Sequence, residues 1–217
     1  GTTITKSDLV RQRWLDNYFY GQIASLQYKH NKDELTIGGG WTKYDGKHYG
    51  TLPWIQLSNA PKDYRYYDYP AIKTDEHAYA KWQHRINTQW FTFADLQYRH
   101  VNHTMNGFEG NSALNVNRSF NFINPKAGIT YASNGWQGYF SYALGNKEPN
   151  RDDFQASPVN QPKQETLHDF ELGVEKKNSR HHFGANLYYM YYHNQLVLTG
   201  QINDVGAYTR INIPQSY

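Results

Sequence analysis

The sequence contains no cysteine. That excludes disulfide staples and thiolate metal centres and leaves the compartment open, the cell surface included. No apolar run approaches the roughly 20 residues of a membrane helix, and the opening GTTITKSDLV lacks the charged-then-apolar plan of a signal peptide. Two readings follow: an intracellular protein, or an internal piece of a longer exported chain. Basic residues exceed acidic ones only by 22 to 19 and are scattered, so the clustered positive footprint of a nucleic-acid binder is missing. GxSxG, P-loop, GxGxxG and HExxH motifs are absent as well. Nothing positive supports an enzyme, and no cofactor is called for.

What the chain has is aromatic surface. Hydrophobic residues make up only 38%, yet aromatics reach 17%, with 20 Tyr. Apolar contact is therefore carried by amphipathic rings, and the composition is not that of a disordered chain.

The dominant pattern is alternation. In NPKAGITYASNGWQGYFSYALG, residues 124–145, every second residue is apolar on both sides of Ser133, Asn134 and Gly135, the signature of two strands with one apolar face. Similar segments fall at 19–30, 34–43, 77–86, 90–103, 121–132, 136–146, 166–177, 181–193 and 208–217, with no convincing helix. Short turns near Lys32, Asn87, Asn134 and Ser179 alternate with long connections at 44–76, 104–120, 147–165 and 194–207. A soluble sandwich, the alternative fold, has no reason to keep all short turns at one end. Outer-membrane barrels do, with short periplasmic turns and long extracellular loops.

One parity carries residues such as Leu26, Ile37, Trp82, Leu96, Ile129, Phe140, Leu172 and Leu187; the other carries Lys81, Arg85, Asp95, Arg99, Lys126, Asp169, Glu171 and Glu175. Charge inside a small soluble barrel would cost several kcal/mol per unpaired ion, whereas the wet lumen of a wide barrel accepts it. These charged residues are therefore expected to face a lumen, and the apolar parity to face lipid. Tyr28, Trp90, Tyr131, Trp136 and Phe183 lie near short turns on the apolar parity, as an aromatic girdle at the headgroups would. Ten to twelve residues at roughly 3.3 Å each, tilted about 40°, cross the hydrocarbon. Pro125 cannot donate a ladder hydrogen bond, and the pairing is expected to be irregular there.

EPNRDDF at 148–154, preceded by NPKAGITYA and SYALGNK, resembles the barrel of a TonB-dependent outer-membrane receptor of the Bacteroidota type. SDLVRQRWLDNYFYG, KYDGKHYG, ETLHDFELGVE, ANLYYM and NQLVLTGQINDVGAY match the same group, so the resemblance covers nearly the whole chain. It implies an all-β, antiparallel transmembrane β-barrel of about 22 strands around an N-terminal plug. Residues 1–217 would supply about nine of those strands, with the plug and TonB box outside this chain. The implied function is uptake of a scarce ligand, energised by the TonB complex through the missing N-terminal part. An iron siderophore or haem is favoured, cobalamin or a glycan is possible, and a non-transporting adhesion or binding barrel is the alternative. The implied location is the outer membrane of a Gram-negative cell, among lipid and lipopolysaccharide.

The longest connection, 44–76, is the candidate ligand contact. Tyr49, Trp54, Tyr64, Tyr66, Tyr67 and Tyr69 offer stacking faces with polar tips. Lys47, His48 and Arg65 could grip an anion. The competing reading is a self-packed loop whose tyrosines bury one another or touch lipopolysaccharide. In EPNRDDF, Arg151 with Glu148, Asp152 and Asp153 is expected to form an ion-paired turn after Pro149, and not acid/base machinery. His100 and His103 are three apart and fall on opposite strand faces. No metal site is expected.

Overall fold

The computed structural model describes residues 6–108, 110–156, 160–202 and 208–217. The elements are β1 (Leu9–His30), β2 (Asp33–Ile55), β3 (Tyr64–Arg85), β4 (Trp90–Phe108), β5 (Asn111–Ser133), β6 (Trp136–Lys147), a short helix α1 (Arg151–Ala156), β7 (Glu165–Lys177), β8 (His182–Ile202) and β9 (Tyr208–Ser216). The strands form one sheet in sequence order from β1 to β9. From β5 to β9 each strand pairs antiparallel with the next. The sheet is the fragment of a barrel that the alternation predicts, with β1 and β9 as its edges.

The short turns are set by asparagine chemistry. Asn134 and Gly135 both have positive φ, 50° and 75°, as a two-residue hairpin matching the strand twist requires, and glycine supplies one of them without steric cost. At the next two turns of this kind an Asn side chain does the work. Asn87 Oδ1 accepts from Gln89 N and Trp90 N, both at 2.9 Å, and Asn178 Oδ1 accepts from Arg180 N and His181 N at 2.9 and 2.7 Å. These are Asx turns, and they add to the main-chain bonds that also close them, Ile86 N to Trp90 O at 3.0 Å and Asn178 N to His181 O at 2.9 Å.

Register separates the faces residue by residue. Ile129, Phe140, Leu172 and Leu187 lie opposite one another across β5 to β8, while one residue along the row reads Gly128, Ser141, Glu171 and Tyr188. Leu172 is 53% exposed and Leu187 71%; no residue assigned to the apolar face is buried. At Pro125 the ladder between β5 and β6 gives out after the pair Lys126 and Ala143. Side chains replace it: Asn146 donates to Asn124 Oδ1 from its backbone N (3.1 Å) and from Nδ2 (2.9 Å).

The chain divides into two compact units, residues 1–21, 42–74 and 102–119, and residues 22–41, 75–101 and 120–217. In the first, the buried apolar residues are Ala71, Met105, Phe108, Leu114 and Val116. In the second they are Val101, Phe120, Phe122, Phe154 and Ala156. Val101 has the parity of Asp95 and Arg99, and Phe120 and Phe122 that of Lys126, so this core lies on the charge-bearing face.

The expected long connections are corrected. β2 continues to Ile55 and β3 starts at Tyr64, which leaves residues 56–63 between them where 44–76 was expected. β4 and β5 likewise extend into 104–120, β8 into 194–207, and β1 begins at Leu9 where alternation begins at 19. YDGKHYGTLPWI interrupts its strand formers with Asp45, Gly46, Gly50 and Pro53, but it lies between neighbouring strands of the sheet, and ladder pairing outweighs those breakers. Part of the expected 194–207 connection, residues 203–207, lies outside the described residues.

Both edge strands offer an unpaired row of hydrogen-bonding groups. In detergent-free buffer the isolated chain is therefore expected to associate into oligomers. A monodisperse monomer in light scattering would mean that the apolar face has found an internal partner.

Candidate functional site

The residues expected to bind ligand sit on the extended β2–β3 hairpin, within the first unit. Tyr49 is its centre. Trp14 of β1 stacks on it, ring centroids 6.2 Å apart and 13° between planes, and the Arg65 guanidinium lies 4.0 Å over its ring. Arg65 also donates from Nη1 to Asp68 Oδ2 at 2.6 Å. The cation expected to grip an anion is thus held by a carboxylate and a π face. Lys47 lies 5.9 Å over the Tyr18 ring, and His48 Nε2 is 3.2 Å from the Tyr44 hydroxyl.

The tyrosines divide. Tyr66 and Tyr67 meet edge to face at 4.9 Å, and Tyr67 stacks on Tyr69 at 5.0 Å. Gly50 makes this possible, since a Cβ there would come within 2.4 Å of both the Tyr66 and Tyr67 rings. The Tyr66 hydroxyl is buried with no hydrogen-bond partner among the described residues. Trp54 and Tyr64, in contrast, are 51% and 48% exposed. The self-packed reading therefore describes Tyr66, Tyr67 and Tyr69, while Trp54 and Tyr64 present free aromatic faces.

Trp14 was not among the expected residues. Its signal was arithmetic: a two-residue turn after His30 puts residue 14 opposite residue 49.

The charges expected on the lumen side do not converge on one centre. Arg85 lies 5.2 Å over the Phe91 ring. Lys126 and Asp169 flank Ala143 in register, Glu171 Oε2 accepts from the Tyr139 hydroxyl at 3.5 Å, and Asp169 Oδ1 has no hydrogen-bond partner among the described residues. Lys81 and Asp95 make no ion pair among them.

Arg99 is the organised one. It donates from Nε to Asp75 Oδ1 and Oδ2 at 3.1 and 3.0 Å, from Nη2 to Asp75 Oδ2 at 2.5 Å, and from Nη1 and Nη2 to Glu148 at 2.8 and 2.9 Å. Glu148 opens the EPNRDDF segment. Its expected internal ion-paired turn is corrected: the segment continues as α1, and Glu148 and Asp153 pair with other strands. Asn150 and Asp153 cap α1 reciprocally, Asn150 N donating to Asp153 Oδ2 (2.7 Å) and Asp153 N to Asn150 Oδ1 (2.9 Å). Arg210 of β9 donates to Asp153 Oδ1 at 2.5 Å, and Phe154 and Pro149 are fully buried. The strap joins β3, β4 and β9 through two guanidinium groups.

His100 Nδ1 donates to Asn121 Oδ1 at 2.8 Å, while His103 is buried. Among the described residues no three His, Cys, Asp or Glu side chains converge as a metal centre requires.

A family model described as "TonB dependent receptor-like, beta-barrel" matches residues 2–217. No curated protein sequence matches the chain. Similar solved structures include the copper transporter OprC, at TM-score 0.78 and 10% identity over 94% of this chain and 34% of that one. The siderophore receptor PiuA from Acinetobacter baumannii gives 0.67 and 14% over 94% and 34%. The ferric citrate transporter FecA, unliganded, gives 0.65 and 14% over 96% and 32%. At such identities the likeness is one of fold, and the chain spans about a third of each of these proteins.

Proposed function

Because the chain belongs to the TonB-dependent receptor family through its β-barrel domain, we propose that it is barrel wall of an outer-membrane receptor that imports a scarce ligand with energy from the TonB complex. The TonB complex acts through a plug and TonB box outside these residues. The β2–β3 hairpin reaches the ligand, and the exposed rings of Trp54 and Tyr64 are the observation that carries this reading. Rings with polar tips give large contact area at low rotamer cost. An iron siderophore or haem is the favoured ligand, supported by Lys47, Lys62, Arg65 and Lys73 on or beside the hairpin strands and by the siderophore and ferric citrate named for two proteins of similar fold. The pairing of Arg65 with Asp68 favours a second reading, a neutral ligand such as cobalamin or a glycan.

In the full-length receptor, replacing Trp54 and Tyr64 together with Ala is expected to weaken ligand binding by about tenfold or more, as loss of two exposed aromatic anchors does. The heat-modifiable barrel band on gels should be unchanged. Growth on ferric siderophore, haem, cobalamin or glycan as the limiting nutrient identifies the ligand. If the double variant grows as well as wild type on all four, the hairpin is packing and not a receptor surface.

A further inference from the structure

On the apolar face one position in the band is empty. Gly138 lies between Tyr131 of β5 and Val174 of β7, and the next residue along that row is Ala185 of β8. The small residues open a groove of about 450 Å³ in the second unit, walled by Trp90, Tyr131, Phe140, Leu172, Val174 and Leu187. Packing does not demand a glycine here: a Cβ on Gly138 would meet only the Gly173 carbonyl, at an ordinary 3.7 Å, and its φ is not positive. The notch is space that a side chain could fill and does not.

Beyond Val174 on the groove wall, and outside the lining itself, stands a cation. Lys176 shares the parity of Val174 and lies two residues nearer the short turn. Its ammonium stands 4.9 Å over the Trp136 ring and donates to the Asn134 carbonyl at 2.6 Å. An ammonium carries three donors, so the other two point to no partner in the described residues. Trp136 in turn meets Phe183 edge to face at 6.1 Å, and Trp90 packs on Tyr131 at 4.9 Å. Amphipathic rings of this kind seat at headgroup depth.

We propose that this groove binds one phospholipid, an acyl chain lying over Gly138 and its phosphate on Lys176. Apolar walls with one cation at the turn end match a ligand with a hydrocarbon tail and an anionic head, and they hold it longer than the fluid lipid around the barrel. The inference rests on the membrane reading of this face and adds a defined ligand to it.

The test is native mass spectrometry of the full-length receptor, extracted from its own outer membrane in mild detergent, with the retained lipid identified by fragmentation. Wild type is expected to keep one phospholipid. Gly138→Leu, whose Cβ has room and whose branch enters the notch, and Ala185→Leu, which fills it from the far wall, should each lower the retained fraction about tenfold, and Lys176→Gln, losing a charge-assisted hydrogen bond, by a similar factor. Undiminished retention in both filling variants overturns the proposal, as does lipid A as the retained molecule. A cysteine at Leu172 separates the two failures. If it reacts with a water-soluble thiol reagent in membranes, the membrane reading has failed; if it is shielded while the filled grooves still hold lipid, only the groove has.

Discussion

Arg99→Met in the full-length receptor should lower its stability by about 3–5 kcal/mol, the usual consequence of removing one partner from a buried ion pair. The methionine keeps much of the side-chain volume but leaves two carboxylates facing each other across its place. Glu148 has 7% of its side chain exposed and Asp75 19%, so water can do little for either charge. The loss should appear as a lower urea midpoint in detergent micelles, with α1 becoming a site of proteolysis because Glu148 no longer holds its entrance. Arg99→Lys should recover only part of the loss, since an ammonium cannot present the guanidinium's fork to two carboxylates at once. Lys29→Ala is the control. Its partner Glu34 is at 2.9 Å, but Lys29 is 65% exposed, and exposed pairs contribute at most about 1 kcal/mol. An Arg99→Met receptor that unfolds at the wild-type midpoint would show that the strap is incidental to the barrel.

The second large effect concerns the two faces of the sheet. Single cysteines at Leu96, Ile129 and Leu172 in the membrane-embedded receptor should react with a water-soluble maleimide more than an order of magnitude more slowly than cysteines at Asp95, Lys126 and Glu171, because hydrocarbon excludes both the reagent and the thiolate. In the isolated sheet Leu96 and Leu172 are 54% and 53% exposed, so the protection must come from lipid and not from protein. Lumenal cysteines react when the lumen is open to the reagent. Equal labelling of the two sets would remove the transmembrane assignment.

Some of the site was legible in the sequence and some was not. Tyr49 and Arg65 were both expected to contact ligand; they meet each other, the guanidinium over one face of a ring that also stacks with Trp14. Tyr66, Tyr67 and Tyr69 looked like ligand contacts for the same reason that they pack: an aromatic ring serves either use, and only the neighbour decides. Glycine at position 50 was the available clue, because a hairpin that keeps a bare backbone beside a run of tyrosines has room for rings to lie on it. In EPNRDDF the acidic residues and arginine looked sufficient to pair among themselves. The partners of Glu148 and Asp153 are instead Arg99 and Arg210, 49 and 57 residues away.

The sequence by itself determined which strand parity is apolar and where the short turns fall. These follow from the period of two in a pleated strand and from the local hydrogen bonding of Asn and Gly, both of which act within a few residues. Only the tertiary structure decided where the strands end, which loop residues are strand and which charges find partners. A backbone N–H or C=O is satisfied by whichever chain lies beside it, so YDGKHYGTLPWI is strand in spite of Asp45, Gly46, Gly50 and Pro53 because the adjacent strands flank it. The guanidinium of Arg99 likewise had many carboxylates to choose from in the sequence, and the fold brought it Asp75 and Glu148.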